Sequence, residues 1–298
     1  MTLISGELES STQRTYRYLR LGIGMCVVII AVAVGVATVT ALGGTPLTSI
    51  SAYYYTGAQG AFTGALVAVA VGVIALSGRG RDRAVLDAAA LFAPLIALIP
   101  TPIAAGTIGE LVLTCPGTDP CVPETFHGAV QTGVLTYVVV GLIALVVGGV
   151  VARVQERFRA SLPSLLLALV VVFAVGVLWF CFREVLYAAG HLVSAGIFFL
   201  LIAAVAFFNF RPKRGEDERG PLVQRLYLGI AIGMAATVVI LLLGVGAEKI
   251  GLWHSGHFVL IFEFLALGFF LAFWVLQSAR NWNDSNPSEI VQERPVGG

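Results

Sequence analysis

Eight long apolar runs, separated by short polar segments, organise this chain: about 21–43, 57–77, 84–105, 127–151, 162–182, 188–210, 225–246 and 257–278. A helix rises 1.5 Å per residue, so ~20 apolar residues cross a ~30 Å hydrocarbon core, and each run is about that long or longer. The pattern predicts an all-α fold, a polytopic membrane bundle of eight transmembrane helices forming one domain from 21 to 278. Residues 1–20 read as a polar lead, and 279–298 as a polar tail that is expected to be disordered. The lead is long, and the first run exceeds the ~7–15-residue core of a signal peptide, so it is expected to stay as a helix.

The basic residues alternate in step with these runs. Arg14, Arg17 and Arg20 precede the first run; Arg79, Arg81 and Arg83 follow the second; Arg153, Arg157 and Arg159 follow the fourth. Arg211, Lys213, Arg214, Arg219 and Arg225 separate the sixth from the seventh, and Arg280 and Arg294 follow the last. The alternate connections carry only Arg183 and Lys249. The positive-inside rule then puts both termini in the cytoplasm and the protein in the cell membrane, and dropping any one helix destroys the alternation.

Composition agrees with a bilayer solvent: 58% of residues are hydrophobic and 12% charged, against roughly 25% charged in soluble domains. A net charge of +1 offers nothing to attract nucleic acid, so membrane lipid is the expected partner. Neither lysine lies inside an apolar run, which leaves no candidate for a retinal-type Schiff base. Cys115 and Cys121 bracket the turn-rich segment CPGTDPC on the outer side, where a disulfide can persist. Cys26 and Cys181 lie in apolar runs and read as small core residues.

Packing signals are ordinary. Gly60, Gly64, Ala68 and Gly72 recur at i+4, and Gly229 and Gly233 repeat the spacing, which suits close helix approach within the chain or a homo-oligomer seam along Gly60 and Gly64. Pro94, Pro100 and Pro102 predict a kinked third helix with freed carbonyls near Ala90, Ile96 and Leu98. Trp179 and Trp253 at the outer edge and Trp274 and Trp282 at the inner edge fit aromatic belts.

Ionisable residues inside a membrane are costly, which makes each a functional suspect. Asp87 is accounted for by Arg83, four residues earlier on the same helix. The others gather on the outer side. His127 opens the fourth helix, His191 the sixth, and His254 and His257 precede or open the eighth. Arg183 and Glu184 are expected to end the fifth helix, and Glu248 and Lys249 the seventh. Glu263 lies inside the eighth, where a carboxyl must be protonated, paired or wetted, with His191 and then Arg183 as expected partners. The segment TSISAYYYTGAQG adds Ser49, Ser51, Tyr53, Tyr54, Tyr55 and Gln59 at the same level. His127, His191, His257 and Glu263 have the donor types of a zinc site, although no H-E-x-x-H is present and His257 and Glu263 point about 120° apart on an ideal helix.

Several strings resemble a widespread group of uncharacterised bacterial integral-membrane proteins. They are SISAYYYT at the start of the second helix, ALIPT (97–101), HLVSAGIFF (191–199), RLY (225–227), and a last helix carrying Glu263 and ending FLAFW (270–274). The resemblance touches helices 2, 3, 6, 7 and 8 and leaves 4 and 5 as an extra hairpin. It implies no reaction, but it selects Ser51, Tyr53, Tyr54, His191 and Glu263 as one candidate ligand-binding site; His127 and His257 have no counterpart in the pattern. A looser analogy is to the seven-helix zinc hydrolases that include alkaline ceramidases, whose H-x-x-x-H is missing here.

Three functions remain open. The first is an outward-facing polar pocket between helices 2, 6 and 8 that binds or transports a lipid headgroup or small molecule. The second is a zinc-dependent membrane hydrolase acting on a lipid. The third is an accessory membrane protein with no ligand.

Overall fold

The computed structural model of the protein describes residues 11–77, 81–117, 119–156, 158–210, 220–252 and 256–282. They form eight α-helices: α1 (Ser11–Thr40), α2 (Gln59–Leu76), α3 (Arg81–Leu98), α4 (Glu124–Val154), α5 (Phe158–Cys181), α6 (Arg183–Phe210), α7 (Pro221–Lys249) and α8 (Phe258–Arg280). A 3-10 turn, Ser51–Tyr55, precedes α2, and a small antiparallel hairpin, β1 (Gly106–Ile108) with β2 (Leu111–Leu113), follows α3. The hairpin turns on Gly109, whose φ of +59° suits the first position of a tight two-residue turn, with the end of α1 close above it at Ala41. All the helices except α3 are long and apolar enough to cross a membrane; the apolar part of α3, Ala84–Leu98, is shorter.

The polar ends of α1 and α8 show how the bundle closes. Arg17 Nε donates to the Trp282 carbonyl at 2.6 Å, and Arg20 donates to the Asn281 carbonyl at 3.2 Å. At the other end the Leu260 amide donates to the Thr48 carbonyl at 2.9 Å. Helices α1 and α8 therefore run antiparallel, first against last. α3 lies deep in the bundle, with Leu86, Ala89, Ala93, Ala97 and Ile99 all inaccessible, packed against α2, α5 and α6. By contrast α4 is peripheral: only 6% of its most apolar window is buried, and Val146, Val150 and Phe173 of the α4–α5 pair are widely exposed. An apolar exterior of this extent is stable against lipid tails rather than water.

Several expectations are corrected. α1 begins by Ser11, so the second half of the polar lead is helical, and α8 runs to Arg280 with Asn281 buried, so residues 279–282 are ordered rather than part of a loose tail. α3 stops at Leu98 rather than near 105, because Pro100 bars Ile99 from helical backbone, and only Pro94 is inside it. Arg183 and Glu184 open α6 instead of closing α5, so His191 sits two turns inside α6. Gly60, Gly64 and Ala68 face outward and only Gly72 meets a neighbour, Ile23 of α1. An i+4 row advances about 40° round the helix per step, which carries it from the exterior into the α1 contact. Gly233 packs against Phe269, whereas Gly229 faces open space. Trp179 and Trp274 are core side chains instead of belt residues; Trp282 is exposed. Cys26 is buried as expected, but Cys181, on the outer face of α5, is exposed. Residues 1–10, Arg79, Arg157, the charged segment 211–219, Trp253, His254 and the tail from 283 lie outside the described residues.

Candidate functional site

The end of α3 is where the site begins. If the helix continued, the Ile103 amide would donate to the Ile99 carbonyl. It donates instead to the Cys121 carbonyl at 2.9 Å, and the Cys121 amide returns a bond of the same length to Ile103. The Cys115–Cys121 disulfide, with its sequence separation of 6, holds this strand-like clasp in place. The Ile99 carbonyl is thereby left without a helical donor in a fully buried position. His191 of α6 supplies one, Nδ1 to Ile99 oxygen at 2.8 Å. Tyr55 supplies the Thr101 carbonyl in the same way at 2.8 Å.

On its other side His191 meets the 3-10 turn. Ser51 Oγ is 2.6 Å from His191 Nε2 and 2.6 Å from Glu263 Oε1. The Ile50 amide donates to Glu263 Oε2 at 2.5 Å. Ser51 and His191 are 4% and 5% exposed, while Glu263 is half-buried, so the centre opens only on the Glu263 side. The turn is held by local bonds: the Ala52 amide donates to Ser49 Oγ at 3.0 Å, and the Tyr53 amide to the Ile50 carbonyl at 3.0 Å.

Donor and acceptor arithmetic fixes the proton content of this chain. A carbonyl only accepts, so His191 Nδ1 carries a proton, and a neutral ring then has a bare Nε2. Ser51 owns one hydroxyl proton and cannot donate it to both neighbours. With the Ser51 hydroxyl proton itself placed between the pair, the two 2.6 Å contacts are satisfied together in two ways. Either a protonated Glu263 donates to Ser51, which donates to a neutral His191, or an imidazolium donates to Ser51, which donates to a carboxylate. The two forms contain the same protons and the same net charge; they differ by a shift of one proton along each of the two links through Ser51. Removing one proton leaves a 2.6 Å contact between two lone pairs, which a buried polar site does not tolerate.

The remaining candidates lie elsewhere. The Tyr53 hydroxyl bonds Thr38 of α1 and accepts from the Leu47 amide at 3.2 Å. Tyr54 packs edge-on against Tyr55 and tilts over Phe126, bracing the start of α4. Burial pushes the hydroxyls of both Tyr54 and Tyr55 above the ordinary phenol range, so both stay protonated at neutral pH. His127 bonds the Val122 carbonyl at 2.9 Å and stacks on Tyr187. His257 bonds the Pro46 carbonyl at 3.2 Å. Arg183 lies over the Trp179 ring instead of pairing with Glu263. His127, His191, His257 and Glu263 therefore do not converge on one ion, and among the described residues no three His, Cys, Asp or Glu side chains are placed to hold a metal. Sequence reasoning missed the backbone partners, the Ile50 amide and the Ile99 carbonyl; the only signal for the second was the proline after Ile99.

Compared with known proteins, the chain matches no family model, no curated protein and no solved structure.

Proposed function

We propose that the Glu263–Ser51–His191 chain is the proton-linked binding centre of an eight-span protein of the cell membrane, with both termini in the cytoplasm and the centre facing outward. The distribution of basic residues supports that orientation. The observation that carries the reading is the pair of 2.6 Å contacts made by one serine oxygen, which has a single proton to give. When the chain loses one proton, Ser51 still donates to one neighbour, and its contact with the other becomes one between two bare acceptors. A ligand bearing N–H or O–H donors, such as an amine, a polyol or a lipid headgroup, relieves the conflict by donating where the proton was. Binding and proton release are then one event.

A hydrolase built on Ser51 and His191 is the weaker reading. Acyl transfer needs free N–H groups near the nucleophile to hold the oxyanion. The neighbouring amides are already used: Ile50 by Glu263, Ala52 by Ser49 and Tyr53 by the Ile50 carbonyl.

The test is calorimetry and proton release in weakly buffered detergent solution, using ethanolamine, glycerol and short-chain phosphatidylethanolamine as probes. The reading expects heat and proton release together in the wild type, with both lost in Ser51→Ala and Glu263→Gln. Binding that releases no proton, or that survives both substitutions, sinks it.

A further inference from the structure

At the opposite end of the bundle from this centre, α3, α4 and α5, with Ile74 of α2, line an open pocket of about 330 Å³. Its chemistry is graded along its length. At one end it is lined by Asp87 near the start of α3, Gln155 just past α4, and Ser161 and Ser164 in the first turns of α5. At the other end the lining is apolar, reaching Leu91, Gly141 and Val172. Ala144 and Ala168 leave room between the helices, and Gly148 lets Leu165 of α5 approach α4. Ile74 and Val151, on its rim, are themselves exposed, so the cavity opens sideways onto the apolar exterior.

The dimensions limit what can occupy it. Gly141 and Gln155 lie about 21 Å apart along α4, and Ser161 and Val172 about 16 Å along α5, at 1.5 Å per residue. One leaflet of a ~30 Å hydrocarbon core is ~15 Å deep. Spread over that length, 330 Å³ makes a narrow slot and not a chamber. Protein interiors are close-packed, and an apolar slot open to lipid is filled by hydrocarbon in preference to water. The polar end lies at the helix termini, where a headgroup would stand, and presents the amide of Gln155 and the hydroxyls of Ser161 and Ser164.

We infer that this slot holds one acyl chain of a phospholipid whose headgroup carries N–H or O–H donors, bound in the leaflet on the side of Arg153 and Arg159. Phosphatidylethanolamine has such donors in its ammonium. Phosphatidylcholine has the same chains and net charge but no N–H or O–H. The inference is independent of the function proposed for Ser51, His191 and Glu263.

The experiment is lipid retention by full-length protein in detergent, read by native mass spectrometry after delipidation and titration with dioleoylphosphatidylethanolamine or dioleoylphosphatidylcholine. Ala168→Leu and Ala144→Leu fill the slot from opposite walls, and Ala68→Leu on the exposed face of α2 is the control. The expected result is one retained phosphatidylethanolamine per chain in the wild type and the control. Retention should be at least tenfold weaker for phosphatidylcholine and in whichever filled variant elutes and melts as the wild type does without lipid. Equal retention of the two lipids, or unchanged phosphatidylethanolamine retention in a folded filled variant, overturns the inference.

Discussion

Replacing Ser51 by alanine and Glu263 by glutamine separates a proton-bearing chain from a mere packing contact. Ser51→Ala removes an oxygen that contacts two side chains at 2.6 Å. It leaves Glu263 Oε1 and His191 Nε2 facing each other without a partner. Each orphaned buried polar group costs about 1–3 kcal/mol, so the loss is roughly 2–5 kcal/mol with partial relaxation. Glu263→Gln behaves differently. Its amide nitrogen donates to Ser51, Ser51 donates to His191 Nε2, and its carbonyl keeps the Ile50 amide, so every group of the neutral form remains satisfied. The cost should stay below about 1 kcal/mol. At roughly 2 °C per kcal/mol for a chain of this size, Ser51→Ala should melt about 4–10 °C lower and Glu263→Gln within about 2 °C of wild type. Cysteine provides the readout. In a Cys181→Ser background, Cys26 is the free thiol left, and it is buried until the bundle opens. A thiol-reactive dye followed during heating at one fixed rate therefore reports unfolding. A Glu263→Gln protein that melts as low as Ser51→Ala would refute the neutral form of the chain and the proton count derived from it.

The other predictions concern the surroundings of the centre. Alkylation of denatured but unreduced protein should modify Cys26 and Cys181 alone, and reduction should expose Cys115 and Cys121 and cost the ~2 kcal/mol expected for so short a closed loop, about 4 °C in melting temperature. Tyr55→Phe removes the donor to the Thr101 carbonyl and should cost about 1 kcal/mol in the same dye assay, with no effect on the pH dependence of ligand binding. His191→Ala should abolish proton-linked binding, whereas His127→Ala and His257→Ala should leave it within twofold, because both bond carbonyls away from Ser51. In whole cells, in a Cys181→Ser background, an impermeant maleimide should label Glu124→Cys and not Gln155→Cys; the reverse would invert the proposed topology.

How much of this was readable in advance depended on the kind of signal. The helices were legible because bilayer thickness imposes a run length, and eight runs became eight helices with ends shifted by a few residues. The end of α3 was the largest shift, since apolarity continues through Ile99 and Ile103 while the backbone leaves the helix, and hydropathy is blind to backbone geometry. The convergence of Ser51, His191 and Glu263 was legible as residue types on one side of the membrane. Which of the outer-side polar groups would meet was not, because Tyr53 sits only two residues beyond Ser51 yet reaches α1. In a tight 3-10 turn, consecutive side chains point about 120° apart, so neighbours in sequence serve different helices. The zinc set failed for a related reason: His127 and His257 stand at helix starts, where unpaired loop carbonyls are nearer than one another.

The broken end of α3 and the proton count of the centre are one feature. Ending a helix in the interior of a membrane bundle strands carbonyls that neither lipid nor water can satisfy. The chain answers with side-chain donors, Tyr55 for Thr101 and His191 for Ile99. Committing His191 Nδ1 to a carbonyl removes the freedom of the imidazole to choose its tautomer, and so sets the opposite nitrogen as the one that must trade a proton with Ser51. Pro100 thus governs the protonation of Glu263 through four linked groups: the Ile99 carbonyl, the imidazole, the serine hydroxyl and the carboxyl. Extending α3 by replacing Pro100 and Pro102 with leucine would let the helix satisfy Ile99 itself. Released from Ile99, a neutral His191 could carry its proton on Nε2 and donate it to Ser51, and Ser51 could donate to an ionised Glu263. Both Ser51 contacts would be satisfied with one proton fewer, and the coupling proposed between ligand binding and proton release should be lost although Ser51, His191 and Glu263 were untouched.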